Sequence, residues 1–149
     1  MTYLATLTIA LLLAAPADDP KALAQDLLNR GAALFDRHDP AVMADTYVED
    51  AEITIYIRDR NTGAIKTETR RGRSSIQEGY VDVFKNATPE MKSRNVVTSA
   101  ERLEPGLLVI HGVFTPDKAK PDSVSFVQVR IKDGDAWRIL NLQLFTGWK

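Results

Sequence analysis

At 149 residues the chain suits one domain with a sizeable core, and its 26% charged and 44% hydrophobic residues are those of an ordinary globular protein. With 19 basic against 20 acidic residues the formal net charge is −1, which leaves no electrostatic case for a nucleic-acid partner. The lack of cysteine excludes disulfides, thiolate catalysis, cysteine-ligated zinc and a lipoprotein anchor.

The chain opens on an apolar run, Leu4 to Ala17, ending in the small-x-small pattern Ala15-Pro16-Ala17. It is too short to span a membrane and reads as a secretory signal, so residues 1–17 are expected to be removed and 18–149 to form the single domain. That predicts an exported protein, periplasmic or extracellular, with no stable membrane anchor. If the run is instead a helix packed on the domain, the protein is cytoplasmic.

Asp19-Pro20 then gives a helix start, and Leu23, Leu27, Gly31, Leu34 and Phe35 follow helical spacing. Asp39-Pro40 launches a short second helix through about Tyr47. The segment 51–59 reads as a strand, and Asn61-Thr62-Gly63 as the turn of a hairpin returning through 64–70. A third helix, 74–86, carries Ser75 and Glu78 at capping-box spacing and the stripe Ile76, Tyr80, Val83, Phe84. Strands follow near 93–103, 107–115, 123–132 and 136–145. The fold class is α+β, helices first and antiparallel strands behind.

The segments YVEDAEITIY, RGRSSIQEGYVDVF and DGDAWRILNLQ, in that order, resemble the nuclear transport factor 2-like superfamily, specifically its SnoaL-like members and the SgcJ/EcaC group. The resemblance spans roughly residues 20–147. It implies a cone-shaped, curved antiparallel sheet wrapped around the N-terminal helices (a cystatin-like roll), with a pocket at the wide end.

The last strand has no plainly polar face. Taking Asp133-Gly134 as a two-residue turn sets Ile131 opposite Ala136 and Arg130 opposite Trp137. Leu140, Leu142 and Leu144 then join Val127, Val129 and Ile131 on an apolar face assigned to the inside of the cone. Trp137, Ile139, Asn141 and Gln143 join Phe126, Gln128 and Arg130 on a mixed face with the composition of a specific interface. Together with His111 these seven are expected to form a homodimer interface, the convex face being where the resembled fold commonly pairs. A β-bulge would move every side chain beyond it to the other face.

The best-understood enzymes of the resembled superfamily, the ketosteroid isomerases, use an Asp base with a Tyr and a protonated Asp. Threading the motifs sets these groups near Ile55, Gly31 and Val127, none of which moves a proton. No catalytic residue is therefore assigned. The expected pocket lining is Phe35, Tyr47, Tyr80, Phe84, Phe114, Leu142 and Leu144, holding a small hydrophobic ligand, with Tyr47 giving the oriented hydrogen bond. A SnoaL-like enzyme of isomerase, cyclase or dehydratase type, and a dimerisation or assembly module, are the alternatives. His38 and His111 lie in unrelated elements and make no metal motif, and no cofactor fingerprint is present. The cluster Arg70-Arg71-Gly72-Arg73 precedes a helix N-terminus, whose backbone N–H groups and dipole suit anions, so an anion at Arg71 or Arg73 is the lesser reading. Its plainer reading is a solvated loop.

Overall fold

The structure, a computed structural model, describes residues 19–88, 92–116 and 123–148. The signal-like run therefore lies outside the described residues. Helix α1 (Pro20–Phe35) starts where its cap dictates: the Asp19 carboxylate accepts from the Lys21 backbone N–H, and Pro20 occupies the first turn. Asp39 caps α2 (Pro40–Ala44) likewise, accepting from Ala41 and Val42. This helix is shorter than its sequence suggests, and Tyr47 begins strand β1 (Tyr47–Arg58) instead of ending α2. In the following hairpin the Asp59 carboxylate accepts from Asn61 and Thr62 before β2 (Ile65–Arg71) returns. Helix α3 (Arg73–Phe84) begins directly at the basic cluster, after Gly72 at φ 82°. Its N-cap makes no side-chain hydrogen bond, so the Ser75–Glu78 capping box does not start it.

Strands β3 (Ser93–Glu104), β4 (Leu107–Pro116), β5 (Val124–Asp133) and β6 (Ala136–Thr146) complete a six-stranded sheet in the order β2-β1-β6-β5-β4-β3. The sheet is mixed: β1 and β6 run parallel, which brings the first and last strands together at its centre. Helix α1 lies across edge strand β3. The Gln25 amide donates to the Asn95 carbonyl and accepts from the Val97 N–H, satisfying edge groups that would otherwise invite another strand. Ala24, Leu27 and Leu28 pack there with Val97, Leu108, Ile110, Ile53 and Leu142 in one core. Gly112 is needed in β4, because a Cβ there would lie 2.5 Å from the Phe126 ring on β5.

The β5–β6 hairpin corrects the expected register. Its loop is Gly134-Asp135, so Asp133 faces Ala136 and Arg130 faces Ile139. Leu140 is then an extra residue: Val129 faces Asn141 and Gln128 faces Leu142. The bulge brings Trp137 and Ile139 onto the same face as Leu142 and Leu144. That face carries Phe126, Gln128 and Arg130 inward and turns Val127 and Val129 outward. For β5 the inside and outside of the expected assignment are exchanged. Gln128 and Arg130, at 6% and 5% exposure, are among the most buried polar side chains described.

Candidate functional site

Between the helices and the inner sheet face lies a cavity of about 690 Å³, within the ordinary range for small-molecule sites. Leu27, Gly31, Leu34 and Phe35 line it from α1, Tyr80 from α3, and Ile55, Phe114, Phe126, Leu142 and Leu144 from the sheet. Of the seven residues expected there, Phe35, Tyr47, Tyr80, Phe114, Leu142 and Leu144 do line it. Phe84 stands behind them, its ring 5.0 Å from Phe35 and 5.6 Å from Tyr80, with His38 against its far side at 5.4 Å. His38 is thus half-buried on an aromatic ring and does not simply face solvent. Edge-to-face contacts of Phe35 with Phe114 (5.4 Å) and Tyr80 (6.3 Å) hold this wall in place.

The polar content of the cavity is small and specific. The Tyr47 and Tyr80 hydroxyls are 2.8 Å apart and hydrogen-bonded. Arg130 Nε donates to the Gln128 side-chain oxygen at 2.6 Å, and one Nη donates to the Trp137 carbonyl at 3.2 Å. Burial pushes the Arg130 guanidinium down to about 10, so it is charged at neutral pH. Burial also raises Tyr47 well above the usual phenol value, and raises Tyr80, so both stay protonated. The Arg130 charge offsets part of the rise at each. Asp45 and Asp135, the only carboxylates among the described lining residues, are both exposed. No cluster of three or more metal-ligating side chains occurs among the described residues.

The residues expected to form a dimer interface separate. Phe126, Gln128, Arg130, Trp137 and Ile139 line the cavity, whereas His111, Asn141 and Gln143 lie on the outer face beside Val127 and Val129. The inner polar pair was legible only as an alternation, Phe126-Gln128-Arg130, whose direction depends on the bulge. The basic cluster is consumed internally. Arg71 donates twice to Glu52 (3.0 and 2.6 Å), Arg70 pairs with Asp82 (3.6 Å), and Arg73 pairs with Glu49 (3.3 Å) while donating to the Tyr47 carbonyl. Each guanidinium of the cluster thus already has a carboxylate beside it.

The positions threaded onto the isomerase groups give a mixed result. Gly31 and Ile55 do line the cavity, without a titratable side chain, and Val127 faces outward. Solved structures with the same arrangement decide the fold. A domain with a cystatin-like fold from Nostoc punctiforme superposes with a TM-score of 0.65 at 13% identity, over 91% of this chain and 81% of that one. This is the cystatin-like, nuclear transport factor 2-like fold. A nuclear transport factor 2-like protein from Pseudomonas putida gives 0.63 at 10% identity, covering 86% and 89%. A ketosteroid isomerase-like protein from Erwinia carotovora atroseptica gives 0.59 at 12%, covering 84% and 97%. No protein-family model matches the sequence, and no curated protein is detectably similar to it. In the nuclear transport factor 2-like cone of this chain, the helices and the bulged hairpin converge on the Tyr47–Tyr80 and Gln128–Arg130 pairs.

Proposed function

We propose that this chain is a small-molecule-binding module whose cone holds an apolar ligand without transforming it. One observation carries the reading: a large cavity lined mainly by apolar and aromatic side chains, with no buried carboxylate or histidine among its described lining residues. General acid–base chemistry needs a positioned proton acceptor. Protonated tyrosines and a guanidinium are not bases at neutral pH. Burying an apolar ligand contributes about 25 cal/mol per Å² before the costs of association. An enzyme is the second reading, favoured by those same donors, since hydroxyl and guanidinium groups can stabilise a developing oxyanion. Asp45 or Asp135 would then have to reach inward as the base.

Gly31 provides the test. A Cβ built there meets no atom within 4 Å, so Gly31→Leu should project into the cavity and fill it. Removing a glycine from a helix interior should also add up to about 1 kcal/mol of stability. Hydrophobic metabolites screened by thermal shift should stabilise the unmodified protein, by about 2.7 kcal/mol at a hundredfold excess over Kd, and leave Gly31→Leu unmoved. Tyr47→Phe should weaken a polar-tipped ligand by only about 0.5–1.5 kcal/mol. Product formation that Tyr47→Phe abolishes would overturn the binding-only reading.

Export with loss of residues 1–17, a homodimer, and placement in the SgcJ/EcaC-like group belong to the same proposal. The dimer is supported by the outer sheet face, where Val127 and Val129 lie among His111, Asn141 and Gln143. A monomer by light scattering at micromolar concentration would remove it, and an exported chain whose N-terminus is still Met1 would remove the cleavage.

A further inference from the structure

We infer that the cone is built for an apolar acid, an organic monoanion whose carboxylate or sulfonate lies against the Arg130 guanidinium while its apolar body fills the cavity. The inference rests on the binding reading above and adds the chemical class of the ligand.

Arg130 is 95% buried, the complement of its 5% exposure, and has no carboxylate within ion-pair distance among the described residues. The two other arginines lining the cavity do have one: Arg30 pairs with Asp26 at 2.6 Å, and Arg138 with Asp133 at 3.0 Å. Taking a guanidinium out of water costs several kcal/mol unless a counter-charge or good hydrogen bonds replace the solvent. Two of its nitrogens are bonded, to Gln128 and Trp137, and the second Nη has no acceptor among the described residues. Phenolate cannot supply the missing charge, because burial holds Tyr47 and Tyr80 in their protonated forms.

What remains unused in this cluster is donor capacity. In the Tyr47–Tyr80 pair one hydroxyl donates to the other, and the acceptor's own proton is free. Gln128 spends its oxygen on Arg130, leaving its amide N–H groups to donate. A free guanidinium nitrogen, a hydroxyl proton and an amide therefore all offer hydrogens in one apolar cavity. Charge-assisted hydrogen bonds to an anion use all three, and a neutral alcohol or ketone satisfies only part of them. One guanidinium balances one negative charge, which selects a monoacid over a dianion.

Two fluorescent probes with the same aromatic body test this. 1-Anilinonaphthalene-8-sulfonate carries an anion and N-phenyl-1-naphthylamine does not, and both brighten when buried. The unmodified protein should bind the sulfonate at least about tenfold tighter, equal to about 1.4 kcal/mol, although water favours burial of the neutral probe. Arg130→Gln should erase that preference while keeping the neutral probe, and Gly31→Leu should lose both. Should Arg130→Gln fail to fold, competition on the unmodified protein answers instead: decanoate should displace the neutral probe at least about tenfold more effectively than 1-decanol. Equal or tighter binding of the neutral probe, or equal displacement by decanol, would overturn the acid and leave the binding module standing. Failure of both probes and both competitors to bind would remove the binding reading as well.

Discussion

Arginines meet opposite ends in two regions of this molecule. At the β2–α3 junction Arg70, Arg71 and Arg73 stand together in sequence and each finds a carboxylate in space, Asp82, Glu52 and Glu49. Arg130, on the inner sheet face, stands between Val129 and Ile131 in sequence, nothing beside it in the chain announces it, and it has no carboxylate partner among the described residues. Density of charge along a chain thus says little about where charge is available. A dense surface cluster tends to be neutralised by its surroundings, and the informative cation is the buried one left without a counter-ion.

The sharpest way to break this comparison is to remove Arg130 and measure stability. If the guanidinium serves a ligand, the free protein bears its desolvation cost for no structural return. Arg130→Met, of similar length, should then raise stability, by up to about 4 kcal/mol, as apolar replacements of buried charges often do. The gain is reduced because Gln128 and the Trp137 carbonyl lose their donor. Chemical denaturation of the two proteins without ligand reads the difference. A loss of several kcal/mol would make Arg130 a structural keystone and remove the contrast with the surface cluster.

Much of the architecture was legible because local chemistry and tertiary structure agree. Asp19-Pro20 and Asp39-Pro40 start helices, Asn61-Thr62-Gly63 lie in the hairpin turn, and the strand boundaries fall within a few residues of their alternating runs. The parallel pairing of β1 with β6 was not legible, since pairing partners far apart in sequence leave no local mark. The inner site was lost at one residue. Lys132-Asp133-Gly134-Asp135 can turn at Asp133-Gly134 or at Gly134-Asp135, and no residue type around Leu140 signals a bulge. That bulge and the choice of inner face decide whether Gln128 and Arg130 face solvent or ligand. Gly112 was the available hint, since a glycine inside a strand marks the close approach of another group, here the Phe126 ring that shares the face of Gln128 and Arg130.

A smaller effect sharpens the inner half of the comparison. Tyr80→Phe removes the 2.8 Å hydroxyl pair and should cost about 0.5–1.5 kcal/mol. Burial alone does not couple the tyrosines to the arginine, but a shared polar cluster does. Combined with Arg130→Met, the change should therefore depart from additivity by at least about 0.5 kcal/mol. Strict additivity in the double-mutant cycle would mean that the hydroxyl pair and the guanidinium are separate features sharing one cavity.

The smallest effect belongs to the surface cluster, and its sign follows from Glu52. The hydrogen bonds from Arg71 hold the Glu52 carboxyl below its ordinary value of 4.5, with the Arg71 charge and a bond from Thr54 adding to them. A lowered folded value means that the stabilisation is fully present above pH 4.5 and is lost as pH falls through the lower folded value. Exposed pairs of this kind are screened by solvent and salt, so Glu52→Gln should leave the neutral-pH melting temperature almost unchanged. In the acid limb the variant should lose less stability than the parent, and added salt should narrow the gap between them. Melting curves from pH 7 to pH 3 at low and high salt measure both trends. A drop of several degrees at pH 7 would mean that the Arg71–Glu52 pair holds β1 to β2 far more strongly than an exposed ion pair does, and the paired cluster could no longer stand as the energetically quiet half of the comparison.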